Sequence, residues 1–143
     1  MRKQKYAHMY GAEAALWDQW LKLHGEDYAR FMYDVHVGRP WPDHLVMPER
    51  WRKGAEAVYL KRIDVVGYQP GVITVFEVKP HAGLGALGQI LGYLTLYEDQ
   101  FGPPEELRGA IVTELVDPNV EKILEDHGIE LFVIPPRGNG QKY

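Results

Sequence analysis

Cysteine is absent from the 143-residue sequence, which excludes disulfides, zinc-thiolate sites and thiol nucleophiles together and is compatible with any compartment. Long apolar runs are absent too, and nothing approaches the ~20 residues that a bilayer-spanning helix needs. The opening stretch MRKQKYAHMYGAEAALW has neither the apolar segment nor the cleavage site of a secretion signal. An intracellular, cytoplasmic protein without a membrane partner is expected. There is no excess of positive charge: the formal net charge is -4, which argues against a protein that coats nucleic acid generally, although a sum hides local distribution. His8, His24, His36, His44, His81 and His127 show no His-Glu-x-x-His spacing. His81 alone is placed to meet a substrate, and an exposed loop histidine suits that position as well. With thiolates and clustered histidines missing, oxygen ligands are what a metal site would use.

The residues present, 45% hydrophobic and 25% charged, are enough to build one core, so a single domain over residues 1–143 is expected. The order read from periodicity is helix, three strands, helix, strand, helix, strand. A helix is expected from about Ala7 to Leu23, with Leu16, Trp17, Trp20, Leu21 and Leu23 on its apolar face. A strand follows over Tyr28 to Val37. The proline-rich stretch from Gly38 to about Ala57 reads as a long connection with room for one helical turn. Strands from about Val58 to Gly67 and over Val72 to Lys79 are joined by the tight turn Tyr68-Gln-Pro-Gly71 and form an antiparallel hairpin. A helix from near Gly83 to about Phe101 stops at Gly102-Pro-Pro104. A buried strand over Leu107 to Leu115, a helix from Asp117-Pro118 to about His127 and a strand over Ile129 to Ile134 complete the chain. The tail from about residue 136 is polar and glycine-rich and is expected to fray. This order suggests an α/β fold with a mixed sheet flanked by helices and the hairpin at its centre.

Chemistry concentrates on that hairpin and the helix after it. Side chains alternate along a strand, so Glu77 and Lys79 project together while Phe76 and Val78 point to the opposite, core face. Asp64, between Ile63 and Val65 in the paired strand, can approach Glu77. Gln89 and Tyr93 are four residues apart and share a helix face. Asp64 and Glu77 suit Mg2+ or Mn2+, with the Val78 carbonyl available as a further ligand. Such an ion polarises a phosphate and lowers the pKa of a bound water, while Lys79 orients that water or neutralises developing charge. Each residue also has an ordinary use: Asp64 facing solvent, Lys79 pairing with Glu77 or Glu13, Tyr93 packing. Gln89 is harder to place in a core, because a buried amide needs partners. Gly83-Leu-Gly-Ala-Leu-Gly88 matches the dinucleotide-binding pattern, but the antiparallel hairpin before it and the lack of a second parallel strand ending in an acid argue against that use.

The spaced Asp64 followed by Glu77-Val-Lys79 at a strand end resembles the PD-(D/E)xK nuclease superfamily, and the element order over residues from about 7 to 115 resembles its core. Gln89-Ile-Leu-Gly-Tyr93 is similar to the Gln-x-x-x-Tyr motif of the RecB-like branch, and Gly11-Ala-Glu13 to its N-terminal Gly-x-Glu. Asp64 follows Ile63, where the name-giving pattern has proline. The resemblance implies a restriction-endonuclease-like α/β fold, with Glu13, Asp64 and Glu77 as metal ligands or water-positioning acids. It implies Lys79 as the catalytic lysine and Gln89 and Tyr93 as positioning residues. Glu13 equally suits a first-turn acid favoured by the helix dipole.

Basic residues that can hold phosphates are Arg50, Arg52, Lys53, Lys61 and Arg62, with Arg2, Lys3 and Lys5 at the N-terminus; Trp51 can stack on a base or cover a strand. These residue types suit DNA or RNA, and DNA follows from the resemblance. The expected function is a Mg2+- or Mn2+-dependent nuclease acting on DNA, as a homo-oligomer or as part of a larger DNA-processing assembly. The alternative is a nuclease-fold binding or assembly subunit without cleavage; such a subunit would be expected to have lost Asp64, Glu77 or Lys79, and all three are present.

Overall fold

The structure is a computed structural model that describes residues 6, 9, 11–39, 48–51 and 61–135. Helix α1 (Ala12–His24) leads through a 3-10 turn (Gly25–Asp27) to β1 (Arg30–Val37), β2 (Lys61–Gln69), β3 (Val72–Val78) and the short β4 (His81–Ala82). Helix α2 (Leu84–Phe101), β5 (Glu106–Thr113), β6 (Leu115–Val116), α3 (Pro118–Asp126) and β7 (Glu130–Val133) follow. The order matches the sequence expectation with β4 and β6 added, which pair in parallel. Two-residue strands are too short to leave an alternation pattern. Within the long connection, residues 49–51 form a helical turn. Expected features at residues 2–5, 7, 8, 52–60 and from 136 onward lie outside the described residues.

Local chemistry sets the boundaries. Helix α1 starts at Ala12, not near Ala7, because Gly11 adopts φ 52, a left-handed conformation in which a helix cannot continue. Helix α3 starts where the Asp117 side chain accepts from the Asn119 N–H at 2.8 Å, with Pro118 in the first turn, where its missing N–H costs nothing.

The five-stranded sheet runs β1-β2-β3-β5-β7. Strands β1, β2 and β3 are antiparallel, and β5 and β7 continue parallel to β3. The hairpin is therefore central in a mixed sheet. Helix α1 covers one face, where Leu16, Trp17 and Trp20 meet Val65, Phe76, Val78, Ala110 and Val112. Trp17 and Trp20 stack at 4.7 Å between ring centres, both fully buried, and truncating either would cost roughly 3–5 kcal/mol. Leu23, expected on this apolar face, is instead 66% exposed in the last turn. Helices α2 and α3 cover the other face through Leu87, Ile90, Tyr93, Val120 and Leu124 on Ile63, Val66, Val75 and Ile111. Helix α2 comes so close to β5 that a Cβ on Gly109 would stand 2.8 Å from Leu94 Cδ1.

Two expectations change here. Glu77 shares its face with Val75 beneath α2, so β3 has core on both sides, as a strand with a parallel crossover must. Glu114 also follows a strand parallel to β3, contrary to the reading of the glycine motif. The dinucleotide geometry is nonetheless missing: residues 79–83, with β4, separate Val78 from Leu84, and Gly85 and Gly88 lie within α2 facing open space.

Candidate active site

Strands β2 and β3 stay paired as far as Val65 opposite Phe76 and then separate. Asp64 and Glu77 are the next residues beyond this fork. Asp64 Oδ2 accepts from the Val78 N–H at 3.0 Å, so a side chain satisfies a backbone donor where the ladder ends. Glu77 is only 5% exposed, and its Oε2 has no hydrogen-bond partner among the described residues. An ionised carboxylate in that position is costly.

The electrostatics follow from this burial. Glu77 is pushed up to about 9, first by desolvation and then by Asp64, with Lys79 opposing and Glu13 adding to the rise. Asp64 is raised to about 6 by desolvation, against the Val78 hydrogen bond; Glu13 and Asp34 raise it further and Lys79 lowers it. Glu13, in the first turn of α1, is raised by burial and lowered by Lys79. Three carboxyls and one ammonium thus sense one another, and all three carboxyls hold their protons more tightly than acids in water do.

Lys79 follows β3 directly. Its N–H donates to the Val112 carbonyl at 2.9 Å, and its Nζ donates to Gln89 Oε1 at 3.4 Å. Thr113 Oγ1 stands 3.1 Å from the Pro80 carbonyl and 3.0 Å from that of Leu115, bracing the turn just beyond the lysine. Tyr93 is buried and raised to about 12, by desolvation first and then by the charges of Glu77 and Asp64, while a hydrogen bond with Gln89 lowers it. Gln89 and Tyr93 also line a cleft of about 350 Å³ with Lys61, Leu96 and three glycines of α2, Gly85, Gly88 and Gly92.

The structure therefore brings Glu13, Asp64, Glu77, Lys79, Gln89 and Tyr93 into one electrostatic neighbourhood, with Lys61 on the adjoining cleft. Among the described residues, no three His, Cys, Asp or Glu side chains close into a metal cage. The pair Asp64 and Glu77 is still suited to a hard cation: both are anionic oxygen donors, both are destabilised as neighbouring charges, and Glu77 Oε2 has no partner among the described residues. Mg2+ commonly uses one or two carboxylates and keeps waters in its other positions.

Of the other basic residues, Arg62 Nε is 3.8 Å from Asp34 Oδ1. Arg50 lies over the ring of Trp51, 5.6 Å from its centre, and Trp51 is 59% exposed, not core. Arg52 and Lys53 lie outside the described residues. Sequence reasoning passed over Asp34, whose charge bears on Asp64, and Thr113. Neither belongs to a spaced motif, and only the strand register brings Asp34 opposite Asp64.

No family model matches the sequence, and no curated protein matches it. Solved structures do. A repair endonuclease from Pyrococcus abyssi superposes with a TM-score of 0.52 at 21% identity, over 91% of this chain and 50% of that one. EndoMS in a complex with dsDNA gives 0.52 at 18% identity, over 97% and 52%. EndoMS in its apo form gives 0.51 at 17% identity, over 92% and 49%. The chain spans about half the length of these neighbours, and at such identities the likeness is one of fold: a central mixed sheet flanked by helices, shared with repair endonucleases.

Proposed function

We propose that this protein is a divalent-metal-dependent nuclease that hydrolyses phosphodiester bonds in DNA. The observation that carries the reading is the buried Glu77 carboxyl, whose Oε2 has no partner among the described residues, set beside Asp64 and Lys79. A fold shared with repair endonucleases, one of them solved with dsDNA, supports it.

In this reading Asp64 and Glu77 hold Mg2+ or Mn2+, the Val78 carbonyl is a further oxygen donor, and Glu13 is a third acid alongside. When bound, the cation supplies a Lewis acid for the scissile phosphate and a water of lowered pKa. Lys79 holds positive charge beside the carboxylates and positions the attacking water. Gln89 fixes the ammonium through its 3.4 Å contact, and Tyr93 closes the site towards α2. The resemblance of Gln89 and Tyr93 to the RecB-like motif gives them the same positioning roles. Lys61 faces phosphates in the cleft, with Arg50, Arg52, Lys53 and Arg62 as additional backbone contacts. The active protein is a homo-oligomer or one member of a larger DNA-processing assembly.

The test is incubation with linear, circular, single-stranded and branched DNA, and with RNA, in Mg2+, in Mn2+ and in EDTA. Metal-dependent cutting of DNA, abolished by EDTA, is expected. A folded protein that cuts none of these substrates in either metal would overturn the proposal.

A further inference from the structure

The parallel pairing of β3 with β5 reaches Val78 opposite Val112 and then resumes as β4 with β6, where His81 lies opposite Leu115 and Ala82 opposite Val116. The link between the two stretches is densely bonded. The Lys79 N–H donates to the Val112 carbonyl, and the Pro80 carbonyl accepts from the N–H groups of Glu114 and Leu115, each at 3.1 Å. Thr113 Oγ1 stands 3.1 Å from the Pro80 carbonyl and 3.0 Å from that of Leu115. The Asp117 N–H donates to the Ala82 carbonyl at 3.0 Å. One network thus ties Lys79 to the short ribbon beyond it.

Residues directly opposite each other in a ladder share a face. Ala82 and Val116 take the face that packs into the core with α2 and α3. His81 and Leu115 take the other face, and both are exposed, Leu115 by 60%. A single leucine on a surface is ordinary. Leu115 differs because its N–H and carbonyl are both held, its opposite neighbour is an exposed imidazole, and that neighbour is two residues from Lys79. The ribbon is a ledge, with its inner face anchored and its outer face presenting an apolar side chain beside a ring.

Size and place select the occupant. Two side chains offer far less than the ~800 Å² per partner that a stable protein interface buries, but they match the face of one planar base. Two residues of extended chain span roughly 7 Å, the scale of one nucleotide, so the ledge lies a nucleotide's length along the backbone from Lys79. We propose that His81 and Leu115 support a nucleobase of the strand being cut, so that the protein holds its substrate by a base as well as by phosphates. Every base has an apolar face, which makes such a contact tolerant of sequence. The proposal rests on the nuclease reading for its substrate.

The experiment compares two fluorescent single-stranded probes with the same number of phosphates, an oligothymidylate and a chain of tetrahydrofuran abasic units. Binding is read by anisotropy in Ca2+, and the probes are checked for integrity afterwards. Wild type should bind the oligothymidylate more tightly. Leu115→Ser and His81→Ala should weaken that binding about fivefold or more and leave the abasic chain unaffected, while Leu115→Phe should keep or tighten it. Lys61→Ala should weaken both probes alike. Unchanged binding of the abasic chain also shows that a variant is folded. Wild type without a preference for bases, or Leu115→Ser weakening both probes equally or neither, would overturn the ledge. If Leu115→Ser instead alters only the oligomeric state in size-exclusion chromatography, the surface belongs to a protein contact and the ledge is likewise overturned. Cleavage of DNA by the same wild-type preparation tells whether the nuclease reading falls with it.

Discussion

The Asp64 carboxylate accepts the Val78 backbone N–H at 3.0 Å, one residue beyond Glu77, at the point where the two strands of the hairpin have parted. A separating hairpin leaves backbone donors unpaired and opens space between its strands. Here one carboxylate oxygen satisfies a donor, and that bond brings the acid next to a second, more deeply buried one. The local structural requirement and the proximity of two acids are met by the same contact.

Asp64→Asn, Glu77→Gln and Lys79→Ala should each lower DNA cleavage by about 10³-fold or more while leaving the fold intact. Combining any two should cost little beyond the worse single change, because residues that act as a unit fail together. Circular dichroism and thermal melts of each variant, alongside single-turnover cleavage, check both parts. Turnover like wild type in any of the three would reject the site.

The raised Glu77 carboxyl predicts how metal-free stability depends on pH. Folding lifts this group from 4.5 to about 9, so the folded state binds the proton more tightly than the unfolded chain does. Its contribution is fully present below 4.5 and is lost as pH rises towards about 9. Metal-free wild type should lose stability relative to Glu77→Gln across that window, by roughly 3 kcal/mol between the acid limit and neutral pH. Mg2+ or Mn2+ should raise the melting temperature of wild type more at about pH 8 than at about pH 5, since the cation replaces the proton. Parallel melting curves for wild type and Glu77→Gln across this range would contradict the prediction.

The cleft makes a prediction about space. A Cβ added at Gly88 meets nothing within 4 Å, and the residue lies inside a helix where glycine is unfavourable. Gly88→Leu should therefore leave stability unchanged or raise it by up to about 1 kcal/mol, while its side chain obstructs the cleft. If DNA lies there, KM should rise with little change in kcat, and Lys61→Ala should do the same with a weaker salt dependence. Unaltered KM in both variants would remove the cleft from the substrate path.

The convergence of Asp64, Glu77, Lys79, Gln89 and Tyr93 was legible in the sequence because two simple periods and one tight turn dictate it. Residues 77 and 79 share a strand face, 89 and 93 share a helix face, and Gly71 closes the hairpin with φ 73. Burial of Glu77 was not legible, since it depends on α2 crossing over β3 to a parallel β5, a pairing that no local pattern encodes. The left-handed backbone of Asp34 was hidden more deeply: a single acid among aromatic and β-branched residues gives no sign of its φ. Leu23 and Trp51 mark the same boundary, because an apolar side chain shows its preference in the sequence while its exposure depends on where neighbouring elements end.

Gln89 and Tyr93 separate positioning from packing, and their expected behaviour differs accordingly. Gln89 is exposed, and its amide oxygen accepts from Lys79 Nζ at 3.4 Å; removing it deletes no core volume. Gln89→Ala should therefore leave the melting temperature within about 2 °C of wild type, as exposed substitutions do. It should lower kcat by about tenfold, because the ammonium loses the group that fixes its direction. Tyr93 is a member of the core beneath α2, so Tyr93→Phe keeps the ring and its packing and deletes only a hydroxyl. A few-fold loss of kcat is expected there, whereas Tyr93→Ala should destabilise the protein by roughly 3–5 kcal/mol, as large truncations in a core do. The discriminating measurement is a double-mutant cycle on kcat with Lys79→Ala. If Gln89 acts through Lys79, adding Gln89→Ala to Lys79→Ala should cost little more than Lys79→Ala alone. A full tenfold further loss in the double variant, or a loss of kcat matched by a loss of stability, would make Gln89 independent of the lysine and leave Lys79 without a positioning partner on α2.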